Sequence, residues 1–94
     1  MPRVIVEYLS FFREMASREK EELSLPEGAT VKTLLDELAR RYDRSWKELA
    51  SLNKLHEEEL LITVNNALLK LPADLALKLR DGDQVIIGLL PVGG

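Results

Sequence analysis

The chain has 94 residues, enough for one domain with a modest core and too few for two. It contains no cysteine, which excludes disulfides, thiolate metal sites and a persulfide carried on one of its own side chains. Its 13 basic and 16 acidic residues are interspersed for a net charge of −3, so no basic stripe neutralises phosphates and no direct nucleic-acid partner is expected.

No charged segment leads into a short apolar run of the signal-peptide kind, and no apolar run approaches the length of a membrane span. The expectation is a cytoplasmic protein without a membrane partner. The first element, residues 3–9, reads as a strand, with Val4, Ile5 and Val6 consecutive as in a strand covered on both faces. Residues 10–16 hold Phe11, Phe12 and Met15 at a spacing that fits one short helical turn, its aromatics filling the core over the sheet edge. Residues 21–25 alternate polar and apolar and predict a half-exposed strand antiparallel to the first.

Pro26-Glu27-Gly28 breaks that pattern, and Thr30 is placed to cap a helix. Val31, Leu34, Leu35, Leu38 and Tyr42 then fall on one helical face, with Lys32, Asp36, Arg40 and Arg41 opposite. Ser45-Trp46-Lys47-Glu48 has capping-box spacing and predicts a second, short helix with Trp46, Leu49 and Ala50 on its apolar side. His56, alone of its kind, reads as a surface residue, and Glu57-Glu58-Glu59 as a solvated loop. Residues 61–64 form a further strand, Asn65-Asn66 turn it, and residues 67–69 can return as a short one. Residues 71–74 are too broken for a strand, and Leu75, Leu77 and Leu79 alternate on the way to the turn Asp81-Gly82-Asp83. The predicted order of elements gives an α+β fold: a mixed sheet of four to five strands curled over one main helix, with an extra short helix.

Beyond Asp81-Gly82-Asp83 an apolar strand runs into Pro91-Val92-Gly93-Gly94, where the sequence stops. Gly93 and Gly94 have no Cβ and can thread a slot too narrow for other residues, while Pro91 limits the freedom of the tail. Terminal glycines also arise by chance and fray. The domain is expected to span residues 1–94, with residues 90–94 as a flexible C-terminal tail. A search for other chemistry finds no glycine-rich phosphate cradle, no histidine metal cluster and no nucleophile elbow. With one histidine and no cysteine, the chain is a poor candidate for a self-contained enzyme, and no metal ligand set is expected.

Asp81-Gly82-Asp83-Gln84-Val85 with the Gly93-Gly94 end resembles the C-terminus of the MoaD and ThiS family of ubiquitin-like sulfur carriers. Val4-Ile5-Val6-Glu7-Tyr8-Leu9, Arg13-Glu14-Met15-Ala16 and Val64-Asn65-Asn66 resemble MoaD in the same order. The chain differs from MoaD in carrying Leu89-Leu90 and a single Pro91 where a proline pair is usual, and in extra residues between Arg41 and Glu59. The resemblance implies a β-grasp (ubiquitin-like) fold with first and last strands adjacent and parallel at the centre.

It further implies that a MoeB-like adenylating enzyme of the ubiquitin-activating type uses ATP to adenylate Gly94, and that a sulfur-donor protein then converts it to a thiocarboxylate. The chain itself binds no cofactor on this reading. As the small subunit of molybdopterin synthase, beside a MoaE-like large subunit, it would pass sulfur to the molybdopterin precursor, with Pro91, Val92 and Gly93 threading the partner's active site. Leu9 and Leu68 lie where MoaD-like proteins present their interface, and Ile87, Gly88, Leu89 and Leu90 are possible additions, each of which could equally be core. Gly88 could let the strand bend or a partner approach. The same tail would also serve a ubiquitin-like protein modifier, a carrier for tRNA thiolation or thiamin, or be inert on a plain interaction domain.

Overall fold

A computed structural model of the chain describes residues 1–42 and 58–91. The expected second helix at Ser45 and Trp46, His56, and the end Val92, Gly93 and Gly94 lie outside the described residues, as do the side chains of Leu90 and Pro91. Among the described residues, the strands β1 (Arg3–Tyr8), β2 (Lys20–Ser24), β3 (Glu58–Val64), β4 (Ala67–Leu68) and β5 (Gln84–Pro91) form one sheet in the order β2-β1-β5-β3-β4. β1 and β5 are parallel and the other pairs antiparallel, so first and last strands meet inside the sheet. This is the β-grasp arrangement.

The main helix α2 (Val31–Arg41) lies across one face of that sheet. Thr30 caps it as expected: its hydroxyl accepts from Thr33 N, and the Thr33 side chain accepts from Thr30 N. Val31, Leu34, Leu35 and Leu38 are buried against Val4, Val6, Ile62, Val85 and Ile87, each burial stabilising by roughly 1.5–3 kcal/mol. The opposite face carries Lys32–Asp36 and Glu37 with Arg40 and Arg41 as ion pairs in water. A short helix α1 (Ser10–Ala16) follows β1 and inserts Phe12 into the same core. A 3-10 turn at Ala73–Ala76 bridges β4 to β5, and the chain after it clasps the start of α2, with Leu77 O accepting from Val31 N and Ala29 O from Leu79 N.

Three sequence expectations are corrected. Glu58 and Glu59 belong to β3 instead of a loop, and by pairing with Pro91 and Leu90 they set residues 90 and 91 of the expected tail within β5. Each strand end supplies the ladder partner that the other lacks in the sequence. β1 is also not covered on both faces: Val4, Val6 and Tyr8 are fully buried, whereas Ile5 is half-buried on the face away from α2.

Candidate functional site: the outgoing end of β5

Two landmarks far apart in sequence meet where β5 starts. Gly82 takes φ +88°, a conformation that L side chains rarely adopt, which explains its place in Asp81-Gly82-Asp83. Asp81 Oδ1 accepts from Arg3 N at 2.9 Å and Arg3 O from Gly82 N at 2.8 Å, so the turn holds the first residue of β1. Asn65 and Asn66 take φ +51° and +71°, the pair of left-handed residues of a tight type I′ hairpin between β3 and β4. Asn65 Nδ2 donates to Asp83 Oδ1 at 2.9 Å and Asn65 Oδ1 accepts from Gln84 N at 2.9 Å, fastening that hairpin to the same turn. β5 therefore starts from a fixed point.

Its register sets what each residue faces. Gln84 O accepts from Asn65 N, so the alternation of the antiparallel ladder turns the backbone groups of residues 86, 88 and 90 toward β3 and those of 85, 87, 89 and 91 away from it. Pro91, lacking an N–H, thus sits where no bond to β3 is lost. Side chains alternate as well. Ile87, opposite Tyr8 and Ile62, is fully buried in the core, and Leu89 packs against the core from the same side. Strand parity places both on the core side, the alternative that the sequence left open for them. Leu9, Gly88 and Leu68 are on the other face, with Leu68 61% exposed.

That open face also displays residues the sequence reading left out: Ile5, Leu61 and Ile86 are half-buried there, around Gly88 and Thr63. Their signal was present only as a strand period whose phase the continuous apolar runs concealed. Thr63 Oγ1 is buried and has no hydrogen-bond partner among the described residues.

The strongest electrostatic feature lies on the core side. The Glu21 side chain is 7% exposed and accepts from the Tyr8 and Tyr42 hydroxyls and from Arg18 Nη1 at 3.3 Å, with the two tyrosine rings edge to face at 6.2 Å. Burial first, then the bond to Glu21, pushes the Tyr8 phenol far above the ordinary tyrosine value, and the same causes raise Tyr42. The cluster pins the end of α2 to β1 and β2; it offers no reacting group to solvent. Among the described residues no group of His, Asp and Glu could hold a metal ion, and no helix is long and apolar enough to cross a membrane.

Comparison with known proteins agrees with this geometry. A family model described as the ThiS family matches residues 6–94. Molybdopterin converting factor, subunit 1, from Pyrococcus furiosus is 29% identical, with 93% of this chain and 95% of that one covered at a TM-score of 0.71. The Amycolatopsis orientalis BexX/CysO complex contains a chain 25% identical, with 97% and 99% covered at a TM-score of 0.68. The small archaeal modifier protein 1 from Methanosarcina acetivorans, 23% identical with 100% and 97% covered at a TM-score of 0.72, shares the fold. No curated protein matches the chain by sequence.

Proposed function

Since the chain belongs to the ThiS family, whose small members are carriers and not enzymes by themselves, we propose that it carries sulfur as a thiocarboxylate on Gly94, for molybdopterin synthesis. The observation that carries this reading is the family match running to residue 94 while β5 stays paired to β3 through Pro91. Gly93 and Gly94 give the reacting carboxylate the slim approach that an enclosed active site needs.

An ionised carboxylate, with an ordinary pKa of roughly 3.5, resists nucleophiles until it is activated. In the proposed sequence a Gly94 oxygen attacks the α-phosphorus of ATP on a MoeB-like adenylating enzyme, and pyrophosphate leaves. The terminal sulfur of a donor protein's persulfide attacks the acyl carbon, and AMP leaves. A thiol then cleaves the sulfur–sulfur bond, releasing the thiocarboxylate and a disulfide. A MoaE-like large subunit would hold the acceptor, with Pro91, Val92 and Gly93 threading its site and Leu9, Leu68 and Leu90 contributing contact. The likeness to the Pyrococcus furiosus molybdopterin converting factor subunit supports this branch.

A second reading, a modifier joined through Gly94 to lysines of other proteins, is favoured by the fold shared with the Methanosarcina acetivorans modifier. One experiment separates them. The chain is incubated with the adenylating enzyme of its own source, ATP and a sulfur donor, and its intact mass is followed. Conversion predicts a gain equal to the difference between sulfur and oxygen, absent when Gly94 is deleted, followed by sulfur transfer to the molybdopterin precursor. Conjugates of higher mass that need Gly94, without transfer to the precursor, select the modifier. No adenylation of the intact chain refutes both.

A further inference from the structure

A Cβ built on Gly88 would stand 3.1 Å from both Cβ and Cδ1 of Leu9 and 3.5 Å from its Cγ. Neighbouring strands lie about 4.7–4.9 Å apart, so at 3.1 Å Leu9 has closed on β5 well beyond sheet spacing. The space that a glycine leaves free for a partner is filled by the chain's own Leu9. Continuing the β1–β5 register by one residue from Tyr8↔Ile87 sets these two opposite each other. The crossing falls where β5 loses its β1 neighbour. Leu9 N makes the last bond to β5, donating to Ile87 O at 2.9 Å, and Leu9 O turns away to accept from Phe12 N at 3.1 Å as α1 begins.

Among the described residues, β5 is laddered from residue 88 onward by β3 alone. A strand end bonded along a single edge frays readily unless something bears on it. We propose that Leu9, lying over Gly88, is a clamp that holds the outgoing end of β5 to the sheet, so that both act as positioning residues for presenting the last three residues to the adenylating enzyme. Presentation rests on the carrier reading; the clamp itself does not. Alanine at 88 requires Leu9 to yield by a few tenths of an ångström, and valine, branched at Cβ, requires more.

The test uses Gly88→Ala, Gly88→Val and Leu9→Ala, the first two crowding the crossing and the third emptying it. Amide hydrogen exchange is read at Leu90, which faces β3, against Val85 in the same molecule. The clamp predicts that Leu90 exchange speeds by about ten-fold or more in Gly88→Val and Leu9→Ala, less in Gly88→Ala, with Val85 unchanged. Kinetics of ATP-dependent adenylation then read presentation: kcat falls by about ten-fold in Gly88→Val while KM for the carrier stays within about two-fold.

Leu90 protection equal to wild type in all three variants overturns the clamp, as does a change that Val85 shares in proportion. A raised KM with unchanged kcat overturns the positioning role, since it marks a lost contact surface. Should Gly88→Val not fold, Gly88→Ala and Leu9→Ala still decide. A wild-type chain that takes no adenylate brings down the carrier reading and presentation with it, whereas exchange measured on the chain alone still judges the clamp.

Discussion

Replacing Tyr8 by phenylalanine separates two consequences of the buried Glu21 cluster. Tyr8 is fully buried and its hydroxyl donates to a carboxylate that is itself 7% exposed. Hydrogen bonds to charged groups contribute about 1.5–3 kcal/mol; because Tyr42 and Arg18 still hold Glu21, the loss at neutral pH should be near the lower end, about 1.5 kcal/mol. The alkaline limb behaves differently. In the folded chain the Tyr8 phenol titrates far above its ordinary value of 10.0, for burial first and the Glu21 bond second. A group whose folded pKa is raised gives stability that is fully present below the unfolded pKa and is lost as pH rises past it, here by about 1.4 kcal/mol per pH unit. The Tyr8→Phe variant has no phenol at this position and no such dependence. The wild-type advantage of about 1.5 kcal/mol should therefore shrink above pH 10 and vanish at about pH 11, a difference in which lysine titration cancels. Urea unfolding of both chains, followed by circular dichroism between about pH 8 and about pH 11, measures it. A gap that stays constant over that range refutes the reasoning, since it means that Tyr8 titrates alike in both states.

Ile87→Ala should cost about 2–5 kcal/mol, as for other buried aliphatic truncations, because Ile87 is fully buried beneath α2; a stability loss under 1 kcal/mol, roughly the surface range, would return it to the open face. Thr63→Val should be neutral or stabilising by up to about 1 kcal/mol, because it removes a buried hydroxyl that has no partner among the described residues. Thermal unfolding of both variants reads these outcomes directly.

Much of this molecule is written locally. The period of Val31, Leu34, Leu35 and Leu38 and the cap at Thr30 depend on residues a turn apart, and both stand as the sequence predicts. Asp81-Gly82-Asp83 and Asn65-Asn66 announce turns because left-handed backbone favours glycine and asparagine wherever it occurs. The resemblance carried by these landmarks identified the family and the central parallel pairing of first and last strands. It did not disclose that the two turns bond to each other across 18 residues.

What the sequence determined by itself is the main helix with its cap, the turns and the family, because period and turn residues act within a few residues. Only the tertiary structure decided the phase: which of Ile86, Ile87, Gly88 and Leu89 face α2, how far Glu58 and Pro91 prolong each other's strands, and that Tyr8, Glu21 and Tyr42 converge. Four apolar-or-glycine residues in a row read the same in either register, and shifting a strand by one residue exchanges its two faces. The choice is made by partners on other strands, which no local pattern contains.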